Sequence, residues 1–203
     1  MGKTYPTKKM PAADEFNTNT LGMQWGWNHN PDSTKWSLTK RPGYLRLATA
    51  KVVANFTTAI NTLTQRPFAN YNQSIPTTAT TKIDISHMQE GDIAGLAIFQ
   101  DPYAYIAISK QNNQTYITMV NNGKTIDSVL IHQPTIYLKT IASNSTGKAS
   151  FAYSVNNKNF TPLGDELSMR FNLKIFTGNK FCLFNYATKA TGGYVDIDWF
   201  RIN

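Results

Sequence analysis

Residues 114–131 read QTYITMVNNGKTIDSVLI and place two runs of β-branched and aromatic residues on either side of Asn121-Asn122-Gly123. Asn and Gly are the residues that most easily adopt the positive φ angles of a two-residue hairpin turn. The runs have the length and composition of strands. The segment therefore predicts an antiparallel β-hairpin.

Similar runs follow one another along most of the chain, and none has the periodicity of an amphipathic helix. Turn-forming residues such as those in SNSTGK and TGG separate them. A second hairpin is predicted around Asn156-Asn157. The remaining strand-like runs are TTATTKIDI, GDIAGLAIFQ, YAYIAIS, TIYLKTI, KASFAYSV, KFCLFNYA and YVDIDWFRI. Many strands at this spacing predict an all-β fold, a two-sheet antiparallel β-sandwich or jelly roll.

The length and hydrophobic content predict one domain. A chain of 203 residues that is 41% hydrophobic can form one sizeable core. Residues 1–13 contain Pro6, Pro11 and several lysines, so we expect an extended lead-in there and a single β-sandwich over residues 14–203. The start lacks the apolar centre of a signal peptide, which leaves the compartment open.

The charged residues are too scattered for a nucleic-acid surface. Lys and Arg number 20 against 12 Asp and Glu, which gives a net charge of +8. Apart from Lys8-Lys9 and Lys40-Arg41, the basic residues stand singly, and no recognition helix or RNA-binding signature accompanies them. We expect no nucleic-acid partner. No stretch approaches the roughly 18 apolar residues of a membrane span, so we expect no membrane partner either.

Catalytic signatures are missing from the sequence. The single cysteine, Cys182, excludes an internal disulfide and is expected to be a small buried hydrophobe. His29, His87 and His132 are too dispersed for a zinc motif, and there is no nucleophile elbow or phosphate loop. A pair of carboxylates could still serve a glycosidase, but most of the carboxylates fall in turns or at strand ends. We expect no independent active site.

Three of the four tryptophans lie close together in LGMQWGWNHNPDSTKWSL, residues 21–38. In an extended segment, Trp25 and Trp27 point to the same face. Aromatic rings can stack on the apolar face of a sugar, and the neighbouring Asn28 and His29 can bind its hydroxyl groups. The cluster is compatible with a carbohydrate platform, and equally with packing in the core.

Two further segments supply side chains suited to sugar hydroxyls. NTLTQR contributes Gln65 and Arg66, and IFQDPYAYI contributes Gln100. The same side chains could instead satisfy backbone groups of the domain itself. The residues alone leave both interpretations open.

Four ordered segments resemble the C-terminal concanavalin A-like module of family 43 glycoside hydrolases, the β-xylosidase group. They are DEFNTNTLGMQWGWNHNPDSTKWSLTKRPGYLRL, NTLTQRPF, MQEGDIAGLAIFQDPYAYIAI and VDIDWF. The resemblance extends from about Asp14 to Ile202. It implies a concanavalin A-like β-sandwich that follows a five-bladed catalytic propeller, and the propeller carries the catalytic carboxylates.

The resemblance implies one of two non-catalytic functions. Such modules have been classed as xylan-binding, so the first is binding of xylan or a related hemicellulose through Trp25, Trp27, Asn28, His29, Gln65, Arg66 and Gln100. The second is an accessory domain that packs on the propeller of a β-xylosidase or arabinofuranosidase without binding sugar itself. In that group a loop of the module places a phenylalanine at the active-site pocket, and Phe176 matches it by position.

A structural calcium ion is the one cofactor that we expect. Asp14 opens the first resembling segment and Asp198 lies in the last, and sugar-binding β-sandwiches often join their terminal strands through a hard cation held by oxygen ligands. The alternative is that Asp14 caps a turn and Asp198 pairs with a basic residue.

Overall fold

The computed structural model describes residues 12–65, 75–170, 172–173 and 177–203. Within them the only helices are two 3₁₀ turns, Ser33–Lys35 and Phe56–Thr58, and neither could cross a membrane. Of the predicted lead-in, only Ala12 and Ala13 fall inside the described residues. In chain order the strands are β1 (Trp25–Trp27), β2 (Trp36–Ser37), β3 (Leu45–Ala48), β4 (Leu63–Gln65), β5 (Thr77–Asp84), β6 (Asp92–Phe99), β7 (Ala104–Gln111), β8 (Gln114–Asn121), β9 (Lys124–Ile131), β10 (Thr135–Ser143), β11 (Lys148–Ser154), β12 (Thr161–Pro162), β13 (Leu167–Ser168), β14 (Lys180–Ala187) and β15 (Tyr194–Ile202).

The strands form two antiparallel sheets that pack face to face. One sheet has the order β1-β4-β14-β6-β7-β8-β9. The other has the order β12-β11-β10-β5-β15-β3-β2, with β13 paired to β11. Neighbours in these orders are often distant in sequence, as expected when a chain crosses repeatedly between the sheets of a sandwich. The predicted all-β, two-sheet fold is confirmed.

Both predicted hairpins are present. β8 and β9 pair around a turn in which Asn122 has a φ of 48° and Gly123 a φ of 79°. The two-residue hairpin turn whose twist matches that of the strands requires positive φ at both central residues. β11 pairs with β12 across the turn that contains Asn156-Asn157. Local turn chemistry thus sets the register of both hairpins.

The main hydrophobic core lies between the sheets. Side chains alternate along each strand, so that in β5 Ala79 and Ile83 face the core while Lys82 and Asp84 do not. Phe181 of β14 and Phe200 of β15 come from opposite sheets, and their ring centroids lie 6.2 Å apart. Burial of these side chains at about 25 cal/mol per Å² is the main force that holds the sheets together.

A second hydrophobic cluster covers the outer face of the seven-stranded sheet. Its centre is Phe56, in the second 3₁₀ turn, whose ring lies 4.6 Å from that of Phe184 and 5.5 Å from that of Tyr105. We call the set the outer aromatic cluster: Phe56, Phe99, Tyr103, Tyr105, Phe184 and Tyr186. Cys182 is buried in the same layer, as predicted, and burial raises the pKa of its thiol far above the ordinary value.

The two ends of the sandwich have different contents. One end contains the hydrogen bond of Gln65 to Ala12 and that of Gln100 to Thr177, and we call it the loop end. The opposite end contains a network of charges on the outer face of the eight-stranded sheet. There Arg46 binds the buried Asp196 through two hydrogen bonds of 2.7 Å, and Arg41 bridges Asp196 and Asp84 at 3.1 and 2.7 Å.

The pKa of Asp84, a carboxylate of this network, differs from its ordinary value. Burial raises the pKa of Asp84, but hydrogen bonds from Arg41 and Ser86 outweigh burial, and the net pKa lies below the ordinary value. A lowered pKa in the folded state means that the ionised carboxylate stabilises the fold above the unfolded-state pKa of about 3.9. That stabilisation is lost as the pH falls through the folded-state value.

We predict that Asp84→Asn lowers the free energy of unfolding at pH 7 by about 1 kcal/mol, allowing for solvent screening of a partly exposed group. The difference from the wild type should shrink as the pH falls below about 4, because the wild-type carboxylate is then also neutral. Urea unfolding of both chains at several pH values measures this difference. Asp127→Asn, on the exposed strand β9, is the control, and a difference for Asp84→Asn that grows in acid would contradict the prediction.

Candidate functional site

Trp25 is held in place by a carboxylate. Its indole Nε1 donates to Asp14 Oδ2 at 2.8 Å, and Gln24 Nε2 donates to the same oxygen at 3.2 Å. The ring packs against Phe16 and Phe200 at centroid distances of 5.9 and 5.2 Å. Trp25 therefore closes the edge of the core and keeps only part of its surface exposed.

Trp27 faces the same side of β1 as Trp25, as the alternation predicts, with the exposed Gly26 between them. Its ring lies 5.1 Å from that of Trp36, and both are half-buried against the core. Asn28 is half-buried, whereas His29 is exposed and its Nε2 lies 3.1 Å from the carbonyl oxygen of Thr57. The His29 contact ties β1 to the segment that carries Phe56.

Gln65 is brought next to Trp25 by the pairing of β1 with β4. Its side chain is only 4% exposed, and its Nε2 donates to the carbonyl oxygen of Ala12 at 2.6 Å. This hydrogen bond holds the start of the described chain at the loop end. It agrees with the alternative interpretation of Gln65, in which the side-chain amide satisfies a backbone group of the domain itself. Arg66 lies outside the described residues.

Gln100 and its neighbour bind both ends of one segment. Gln100 is 1% exposed; its Nε2 donates to the carbonyl oxygen of Thr177, and its Oε1 accepts from the N–H of Asp101 at 3.0 Å. Asp101 Oδ2 accepts from Asn172 Nδ2 at 3.1 Å. The turn between β6 and β7 thus anchors the chain at residue 172 and again at residue 177. Phe176 lies outside the described residues.

The candidate sugar-binding residues do not form one exposed group. Trp25 and Gln65 are adjacent, and Trp27, Asn28 and His29 continue along β1. Gln100 follows β6, which is separated from β4 by β14. The buried amides of Gln65 and Gln100 are directed at backbone groups, so the exposed His29 and the edges of Trp25 and Trp27 are the surfaces open to a ligand. Carbohydrate binding by this set stays a prediction.

The loop end exposes large apolar side chains that the sequence reasoning missed. Met23 is 83% exposed, Leu173 is 75% exposed and Ile75 is 55% exposed. Each lies beside residues already placed at this end: Met23 precedes Gln24, Leu173 follows Asn172, and Ile75 precedes β5. The only available sequence signal was an isolated apolar residue among polar and turn-forming ones, which is common on ordinary surfaces.

The two carboxylates predicted to hold calcium bind N–H and ammonium groups. Asp14 Oδ1 accepts from the N–H of Phe16 at 2.9 Å, and Asp198 Oδ2 binds Lys82 Nζ at 2.6 Å. Asp14 also pairs through its backbone with Phe200, two residues beyond Asp198. Among the described residues, no three His, Cys, Asp or Glu side chains lie together. The calcium ion stays a prediction.

Comparison with known proteins identifies relatives for nearly the whole chain. The family model of the β-xylosidase C-terminal concanavalin A-like domain matches residues 13–203. A β-xylosidase of Formosa agariphila is 32% identical, over 97% of this chain and 36% of that protein. The chain thus spans about a third of that relative.

Two solved structures share both fold and sequence with the chain. A bifunctional GH43-CE protein of Bacteroides eggerthii is 38% identical with a TM-score of 0.89, over 94% of this chain and 25% of that one. An engineered GH43 glycoside hydrolase that displays both endo-xylanase and exo-arabinofuranosidase activity is 30% identical with a TM-score of 0.88. That match covers 100% of this chain and 42% of the other.

We predict that Asp14→Ala lowers the free energy of unfolding by about 1 to 3 kcal/mol, because the Trp25 indole and the Phe16 N–H lose their acceptor. Urea unfolding followed by tryptophan fluorescence, with and without EDTA, measures the loss. If Asp14 also binds calcium, EDTA should lower the wild-type midpoint by more than it lowers that of the variant. Glu15→Ala, which removes an exposed ion pair with Arg201, is the control and should cost less than about 1 kcal/mol. An Asp14→Ala chain as stable as the wild type would contradict the prediction.

Proposed function

Since this chain belongs to the family of β-xylosidase C-terminal concanavalin A-like domains, we propose that it is the non-catalytic accessory domain of a family 43 glycoside hydrolase that acts on xylan-type hemicellulose. The chain spans only part of each relative, so the catalytic residues of such an enzyme belong to its propeller. The domain then acts by contact with that propeller. The enzyme is a β-xylosidase or an arabinofuranosidase, the activities named for its relatives.

The loop end is the proposed contact surface. The observation that carries this proposal is the exposure of Leu173 and Met23 at the end that also contains the Gln65–Ala12 and Gln100–Thr177 hydrogen bonds. In the resembling enzymes the propeller precedes this module, and Ala12 lies at the same end. Covering an exposed Leu or Met side chain contributes roughly 1.5 to 3 kcal/mol, so contact with the propeller would supply a stabilising partner for them.

The segment between Asn172 and Thr177 is the proposed pocket-completing element. Gln100 binds Thr177 and Asp101 binds Asn172, the described residues on either side of this segment. Phe176 falls within this segment and would reach the mouth of the active-site pocket. On this proposal Gln100 positions the segment instead of binding sugar.

Binding of xylan by the domain itself is the second candidate function. It is favoured by Trp27 and Trp36, which keep part of their rings at the surface, and by the exposed imidazole of His29 nearby. A stacked aromatic ring and one side chain that can bind hydroxyl groups form a minimal sugar subsite.

We predict that Leu173→Asp and Phe176→Ala, in the full-length enzyme, lower kcat/KM on xylo-oligosaccharides by about tenfold, because about 1.4 kcal/mol of positioning energy is lost. Val155→Asp, an exposed apolar residue in the turn between β11 and β12, is the matched control and should leave kcat/KM unchanged. The thermal midpoint of the isolated domain should be the same for all three variants and the wild type. Wild-type kinetics for both loop-end variants would contradict the accessory function.

We predict that the isolated chain is retarded in gels that contain soluble xylan and that Trp27→Ala removes most of the retardation. Loss of one stacked ring costs on the order of 1 to 3 kcal/mol, by analogy with base stacking on aromatic side chains. Tyr116→Ala, on the outer face of β8, is the control for loss of an aromatic ring elsewhere. Equal mobility with and without xylan would exclude xylan binding by the domain and leave the accessory function as the one candidate.

A further inference from the structure

Two buried oxygen atoms without partners lie at the opposite end of the sandwich. Asp92 begins β6, Asn185 lies in β14, and the two side chains are 0% and 1% exposed. The register pairs Asp92 with Ala187 and Asn185 with Ala94, which makes Asp92 and Asn185 diagonal neighbours on one face. Ala94, on the same face as Asp92, belongs to the core between the sheets. Both side chains therefore point into the space between the sheets.

The Asp92 carboxylate has one oxygen satisfied and one open. Oδ2 accepts from the N–H of Gln89 at 2.7 Å and packs against Gly193, where a Cβ atom would lie only 1.8 Å from it. Oδ1 has no hydrogen-bond partner, and Asp92 makes no ion pair with any described residue. A buried carboxylate normally requires both hydrogen bonds and a counter-charge.

The amide oxygen of Asn185 also lacks a hydrogen-bond partner. Its Nδ2 crosses to the other sheet and donates to the carbonyl oxygen of Leu47 at 2.8 Å, while its Oδ1 is unpartnered. The open atoms of Asp92 and Asn185 are both acceptors, so the ionised carboxylate and the amide oxygen cannot satisfy each other. What they lack is an electropositive partner.

The surrounding groups leave this requirement unmet. Lys110 lies near enough to act on Asp92 electrostatically, but its Nζ donates to the carbonyl oxygen of Met88 at 2.9 Å. Lys189 pairs with the surface carboxylate of Glu90. Thr49 is buried nearby, and its hydroxyl donates to the carbonyl oxygen of Gly193 at 3.2 Å. None of these groups donates a hydrogen bond to Asp92 Oδ1 or Asn185 Oδ1.

We propose that Asp92 Oδ1 and Asn185 Oδ1 bind a hard metal cation between the two sheets. Carboxylate, amide and carbonyl oxygens are the ligands of such ions, and an irregular oxygen set suits Ca²⁺ or Na⁺ better than Mg²⁺, which demands octahedral geometry and retains its water. The ion supplies the counter-charge and links β6 and β14 of one sheet to the residues around Leu47 and Gly193 of the other. This site is separate from Asp14 and Asp198 and independent of the loop end.

Thermal unfolding of the chelator-treated chain with added CaCl₂, NaCl or MgCl₂ tests the proposal. A cation that binds only the folded state should raise the wild-type midpoint by roughly 5 °C or more at about 100 times its dissociation constant. Asp92→Asn removes the charge with little change of shape and should abolish the response. Asp127→Asn is the matched control, because it removes an exposed carboxylate of β9 that is assigned to no cation site and should respond as the wild type does.

Native mass spectrometry of the wild-type chain and of Asp92→Asn provides a second readout. One bound ion per wild-type chain after dialysis against the responding cation supports the site when the same dialysis leaves no ion on Asp92→Asn. A wild-type chain that neither shifts its midpoint nor retains an ion overturns the proposal, as does an Asp92→Asn chain that responds like the wild type. An Asp92→Asn chain at least as stable as an unresponsive wild type also overturns it, because a proton or a trapped water molecule then satisfies the oxygens.

Discussion

Burial of both faces of β6, β7 and β14 is the constraint on which the rest of the structure depends. Their inner faces form the core between the sheets, and their outer faces are covered by the segment that carries Phe56. The outer aromatic cluster fills the centre of a surface that a β-sandwich could otherwise offer to a polysaccharide. The proposed functions are therefore assigned to the edge strand β1 and to the two ends of the sandwich. His29 contributes to this arrangement by holding the covering segment through Thr57.

Local patterns were sufficient to predict the long strands β5 to β11, β14 and β15, but not the short strands β1 to β4 and β13 or the aromatic segment that covers the outer face. The hairpin turn at Asn122-Gly123 and the alternation in β5 depend on neighbouring residues alone, because side-chain direction has a period of two and the turn type requires positive φ. Phe56 lies in NFTTAI, which has neither strand alternation nor helical period. Its burial depends on rings 43 or more positions away in the chain, and no local signal encodes such contacts.

For the candidate site, too, local sequence patterns predict side-chain direction but not tertiary contacts. Trp25 and Trp27 share a face, as alternation requires, but the partner of Trp25 is the carboxylate of Asp14, eleven residues earlier. Gln65 and Gln100 have the composition of sugar ligands, and the same amides serve equally well as donors to backbone carbonyl groups. Only tertiary structure separates these two uses. Asp92, by contrast, carried a readable signal, since a carboxylate stands at an inward position of an otherwise apolar strand.

The difference between the two ends follows from what each must do. The opposite end contains polar contacts: Asn185 is bonded to Leu47 across the core, and Asp196 is bound by two arginines on the outer face of the eight-stranded sheet. Buried polar contacts have exact geometric requirements, so they fix how the sheets stack but cannot adapt to a partner. The loop end instead exposes side chains such as Leu173, whose contacts are non-directional and strengthen with any apolar surface that covers them. Sheet alignment set at one end therefore leaves the loop end available for the proposed contact with a neighbouring domain.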